Sequence, residues 1–183
     1  MFSTIKRLQD SFSAASTFAL VLCCLIFTSS YVQLLHDRCF DLPSTISDIS
    51  LDTSLKFSRI HGSLNKKPKE NARLTSFSLQ TDLSPLFNLN TKQVFVYLTA
   101  EYHSVNRKDN SISNKLIFWD KIIISKDDAT LNLTNLKSKY SVYDIEKSFN
   151  HKNATVRLEW NIQPWVGPLI YGSTTGLETI TFI

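Results

Sequence analysis

Asn153–Ile162 reads NATVRLEWNI, and its Ala154, Val156, Leu158, Trp160 and Ile162 alternate with Thr155, Arg157, Glu159 and Asn161. Successive side chains of a strand point to opposite faces, so this period of two predicts a half-buried strand with core on one side and solvent on the other. Gln93–Tyr102 (QVFVYLTAEY) is apolar at both parities. That predicts a central strand, or one whose outer face is covered by another surface. Further strands are predicted over Leu51–Ile60, Ala72–Gln80, Lys115–Ile124 and Leu177–Ile183. Turn-forming pieces such as Asn65-Lys66-Lys67-Pro68 and Arg107-Lys108-Asp109-Asn110 separate them as hairpin connections would. Ser138–Phe149 reads equally as a short helix or a strand. Without crossover helices, strands at this spacing predict an all-β, antiparallel sandwich-like domain.

Working towards the N-terminus, the pattern changes at a short stalk around Asp41-Leu42-Pro43. From Phe12 to Leu35 there is no charged residue, and the centre reads FALVLCCLIF. At about 1.5 Å per residue such a helix crosses a bilayer core of about 30 Å. Ser13, Ser16, Thr17, Thr28, Ser29 and Ser30 can return their hydroxyls to helix carbonyls, and Tyr31 suits the headgroup region. An amphipathic core helix fits this composition poorly. A cleaved secretory signal begins the same way, with Lys6 and Arg7 before an apolar run. Its apolar region is shorter, however, and bulky Tyr31-Val32-Gln33-Leu34-Leu35 follows here, which leaves Thr28-Ser29-Ser30 as a weak cleavage candidate and favours an uncleaved anchor. Lys6, Arg7 and the amino terminus precede the span and only Arg38 closely follows it, which predicts that residues 1–11 are cytosolic.

The formal net charge of +4 is distributed among acidic residues, with no concentrated basic face, so no nucleic-acid partner is expected. Cys23 and Cys24 lie in the apolar span and only Cys39 lies outside it, which leaves no disulfide framework. His36, His61, His103 and His151 show no metal-ligand spacing, and neither a nucleophile elbow nor a phosphate-binding glycine loop occurs. No cofactor is expected. Ser125-Lys126-Asp127-Asp128 reads as a turn after Ile122-Ile123-Ile124.

Two N-glycosylation sequons are present, at Asn132 (Asn-Leu-Thr) and Asn153 (Asn-Ala-Thr). Strand parity turns both asparagines outward, with Leu131 and Leu133 inward around the first. Trp160 fits the core. Trp165 follows Pro164 and precedes Gly167-Pro168, outside any central strand, so its ring either packs over the sheet edge or is offered to another protein. Pro164 and Tyr171 flank it in the same candidate contact.

Thr81–Tyr102 (TDLSPLFNLNTKQVFVYLTAEY), Phe118–Ala129 (FWDKIIISKDDA), Lys139–Glu146 (KYSVYDIE) and Trp160–Gly172 (WNIQPWVGPLIYG) resemble the subunit 3 family of the eukaryotic signal peptidase complex, its fungal form especially. The resemblance also covers the single anchor and the chain length. It implies a type II glycoprotein of the endoplasmic reticulum membrane: residues 1–11 cytosolic, 12–35 a signal-anchor helix and 36–183 a lumenal β-domain with a short stalk. In that family a separate subunit supplies the serine nucleophile, and the lumenal domain packs against it. The implied partners are that catalytic subunit, the other membrane subunits and, indirectly, nascent preproteins. Two other readings belong to different classes. One is a stand-alone membrane-anchored lumenal module acting as a chaperone or translocon adaptor. The other is an enzyme built on His103, Ser104 and Asp109, although alternating strand positions point such neighbours to opposite faces.

Overall fold

The structure, a computed structural model, describes residues 3–56, 69–103, 113–143, 149 and 152–182. Its one α-helix among these, α1 (Thr4–His36), starts where the Ser3 hydroxyl accepts from the Lys6 amide and ends at Asp37, before Arg38 takes a left-handed conformation with φ 50°. It is long and apolar enough to cross a membrane. As expected for an apolar environment, hydroxyls bond back to the helix: Ser16 and Thr17 to the Ser13 carbonyl, Thr28 to Cys24 and Ser29 to Ile26, each at 2.9 Å. The helix extends further towards the N-terminus than the uncharged segment, because Lys6, Arg7 and Gln9 are themselves good helix formers.

After a short 3-10 turn at Cys39–Asp41, the strands are β1 (Ser44–Lys56), β2 (Lys69–Asp82), β3 (Thr91–His103), β4 (Ser113–Ile123), β5 (Thr130–Leu136), β6 (Val142–Tyr143), β7 (Asn153–Pro164) and β8 (Ile170–Thr181). They form two antiparallel sheets. In the first, β2 pairs with β1 on one edge and with β5 and β6 on the other; the second runs β4-β3-β7-β8. The antiparallel pairing of β1 with β2 and of β3 with β4 agrees with the hairpin reading. The turns themselves, Asn65–Pro68 and Arg107–Asn110, lie outside the described residues, as do residues 57–60 of the first predicted strand and 144–148 of the ambiguous segment. The described part of that segment contributes the two-residue β6.

The core lies between the sheets. β7 buries all five alternating residues from Ala154 to Ile162, as its period predicts, and β3 adds Val94, Val96, Leu98 and Ala100. From the opposing sheet come Ile46, Leu74, Phe77, Leu79 and Leu131. β4 breaks strict alternation with a register shift between its Leu98 and Thr99 partners, so that both Phe118 and Trp119 turn inward. Trp119 meets Phe77 across the sandwich, ring centroids 5.9 Å apart.

Both open sides are stitched. At one, the Thr175 amide donates to Leu42 O at 3.0 Å, and the Ser44 and Thr174 hydroxyls lie 2.7 Å apart. Gly176 permits this approach, since a Cβ there would run into the backbone of Ser44. At the other, Ser138 N donates to Leu74 O at 3.0 Å and Tyr140 N to Phe118 O at 3.1 Å, while Lys139 pairs with Asp120 at 3.3 Å.

Candidate interaction surface

Two surfaces stand out, one where α1 meets the sandwich and one on the outer face of the β4-β3-β7-β8 sheet. At the junction, Leu34 is only 1% exposed although it belongs to the helix, and Ser30 is buried with it. The Asn88 side-chain amide donates to the Ser30 hydroxyl at 2.7 Å, and the Asn88 side-chain oxygen, Oδ1, accepts from Asn90 N at 3.0 Å. Asn90 in turn clamps Val166: its amide donates to Val166 O at 2.8 Å and its oxygen accepts from Val166 N at 3.0 Å. A run of aromatic rings continues the contact inward, Phe27 to Tyr31 at 6.0 Å, Tyr31 to Phe40 at 6.4 Å and Phe40 to the buried Trp160 at 5.6 Å. Gly167, at φ 115°, lies against the Phe27 ring where no Cβ would fit. Cys39 is fully buried beside this run, its thiol donating to Pro85 O at 3.3 Å, and burial, helped by nearby Asp37, pushes its pKa up to about 11.

On the sheet's outer face, cross-strand register lines up Ile122, Phe95, Asn161 and Tyr171 in one row and Asp120, Tyr97, Glu159 and Ser173 in the next. Phe95 and Tyr97 stack at 5.4 Å, and Ile122 and Tyr171 stay exposed, Tyr171 at 61%. The face thus carries an apolar, aromatic patch, which accounts for the double parity of Gln93–Tyr102. One charge is built into it. Glu159 is buried and takes the Lys115 ammonium at 2.6 Å. Burial, reinforced by Glu159, pushes the Tyr97 hydroxyl up to about 12.

The sequons fall where parity puts them: Asn132 on edge strand β5 and Asn153 at the start of β7 are both exposed. Trp165 is 67% exposed, contrary to the reading in which its ring packs on the sheet edge, with Lys92 Nζ 5.2 Å from the ring centroid. Pro164 closes β7 opposite Thr91. Tyr171 belongs to the outer-face patch, in register with Asn161. Among the described residues no group of three His, Cys, Asp or Glu is placed to hold a metal. His103 is exposed at the end of β3. His61, Ser104, Asp109 and His151 lie outside the described residues. The Ser30–Asn88–Asn90 clamp was not read from the sequence; the only signal for it was a pair of asparagines flanking Leu89 just before a strand.

A sequence profile of the family described as "Signal peptidase subunit" matches residues 1–183. The chain belongs to that family. It is similar to proteins named Signal peptidase complex subunit 3. With the one from Debaryomyces hansenii it shares 50% identity over 183 residues, 100% of this chain and 94% of the relative. With that of Saccharomyces cerevisiae the identity is 47% over 182 residues, covering 99% and 96%. With that of Drosophila melanogaster it is 32% over 164 residues, covering 85% and 88%. In this signal peptidase subunit, both the helix junction and the aromatic sheet face therefore lie within a full-length match.

Proposed function

We propose that the chain is a non-catalytic subunit of the signal peptidase complex of the endoplasmic reticulum, a type II membrane glycoprotein that holds the catalytic serine-protease subunit in working position. The observation that carries the reading is the family match over the whole chain, anchor and sandwich together. In this arrangement residues 1–11 are cytosolic, 12–35 cross the membrane, and 36–183 fold in the lumen with glycans on Asn132 and Asn153. The patch of Phe95, Ile122 and Tyr171 faces the catalytic subunit. A broad apolar patch of this kind on a sheet is what a permanent partner covers. α1 locked into the sandwich supplies the rest: a domain clamped to its own anchor holds a bound protease at a fixed height, and small errors in placement cost rate. Nascent preproteins meet this chain only through that protease.

The test is affinity purification of the tagged chain from its membranes in mild detergent, with the bound chains identified. A membrane-bound serine protease recovered in stoichiometric amount is the expected result. Recovery without any protease would leave a stand-alone lumenal adaptor as the better reading.

A further inference from the structure

Loops 88–90 and 165–169 touch α1 at an unexpected height. Asn88 bonds to Ser30 and Gly167 lies against Phe27, while Ile26 and Ser29 line a cleft shared with Leu89 and Trp165, all of these helix residues lying well inside the uncharged segment Phe12–Leu35. A bilayer core of about 30 Å takes about 20 helical residues. Placed to begin at Phe12, it ends near Tyr31; placed to end at Leu35, it begins near Ser16. Ile26–Ser30 fall within it either way. A loop tip packed against those residues is held at the level of the lipid.

The side chains of these loops suit that level. Leu89 is fully exposed and Trp165 is 67% exposed, and both line the cleft against the helix; Leu169, 47% exposed, follows two residues after the Gly167 that lies against Phe27. The polar groups beneath them are consumed internally, Asn88 by Ser30 and by the Asn90 amide, Asn90 by both backbone groups of Val166, and the Trp165 amide by Asn90 O at 2.8 Å. Backbone at membrane depth must be satisfied in this way. Lys92 lies 5.2 Å from the Trp165 ring. Tryptophan with a neighbouring lysine is an arrangement suited to the headgroup boundary, the ring in the interface and the ammonium reaching water or phosphate.

We propose that this rim is a lipid-docking surface: Leu89, Trp165 and Leu169 insert into the lumenal leaflet, Lys92 meets the phosphate layer, and the sandwich rests on the membrane. The proposal needs α1 to span a bilayer and goes beyond assignment to the complex.

The full chain, reconstituted in phosphatidylcholine vesicles whose acyl chains are brominated near their headgroup end and recovered by flotation, provides the test. Trp119 and Trp160 are buried in the sandwich and give a background the quencher does not reach. Tryptophan emission should fall relative to unbrominated vesicles, and the fall should be abolished in Trp165→Phe. Emission unaffected by bromine, or an equal fall in the variant, overturns the proposal. The same comparison on the purified complex in those vesicles should keep the difference; its loss there would mean that a protein neighbour covers the rim, which also overturns it.

Discussion

The Ser30 hydroxyl of the helix and the side-chain amide of Asn88 lie 2.7 Å apart, within a junction where Leu34 is buried like a core residue. A buried donor that loses its partner costs about 1–3 kcal/mol. Asn88→Ala should therefore lower the thermal midpoint of the full chain in detergent, and Ser30→Ala should add little once Asn88 is gone. A double-mutant cycle measures this, and strict additivity would show that the two groups act independently. Leu34→Ala in the same assay should cost about 2–5 kcal/mol.

Gly167 combines a positive φ with an overlying Phe27 ring. Gly167→Ala should destabilise the chain by about 1–3 kcal/mol through backbone strain and overpacking. Phe27→Ala should relieve the overpacking part, so the double variant should be less destabilised than the sum of the two single ones.

Tyr97 ionises only at about 12 in the fold, against an ordinary value of 10.0. Its raised value means that between these limits the folded state holds a proton the unfolded state has lost. Its contribution to stability is complete below about pH 10 and falls as pH rises through 12. Stability measured from pH 9 upward should fall less steeply in Tyr97→Phe than in the parent chain.

Cys39 is buried, bonded to Pro85 O and raised to about 11, so little thiolate exists at neutral pH. Maleimide should leave it unmodified in the native protein and react after denaturation, as peptide mass mapping would show.

Much of this fold was legible because burial in a two-layer sandwich imposes a period on the sequence. β7 shows it at all five inward positions and departs from it only at Glu159, which is buried against Lys115, and β3 showed through its double parity that its outer face was not built for water. The first half of β1 was not legible. Ser44-Thr45-Ile46-Ser47-Asp48 offers few β-formers, and Asp48 sits at φ 54° in a bulge, so pairing with β2 holds a strand that local preference does not announce. β8 likewise starts at Ile170, ahead of the predicted Leu177, because Gly172 and Gly176 dilute its pattern while close packing requires them. The candidate surface divided in the same way. Sequons and the aromatic face follow from parity, whereas the helix clamp depends on side chains 58 and 76 positions apart, which no local pattern can reveal.

Topology has its own check. Glycosidase treatment of the chain from its membranes should increase its gel mobility, with the shift abolished when Asn132 and Asn153 are both changed to Gln. Protease added to sealed microsomes should remove only residues before Phe12. Digestion of the sandwich would reverse the orientation.

Outer-face variants probe the partner. Tyr171 and Ile122 are exposed, so Tyr171→Asp with Ile122→Asp should leave the fold intact while weakening recovery of the protease by about 2 kcal/mol or more. Unchanged recovery would move the interface elsewhere.

The central claim is that this chain supports cleavage without performing it, and the most direct measurement is preprotein processing in microsomes from cells depleted of it. Uncleaved precursors should accumulate, return to normal with the parent chain, and stay uncleaved when the purified chain alone is given the preprotein. Normal processing in depleted membranes, or cleavage by the purified chain on its own, would contradict the account.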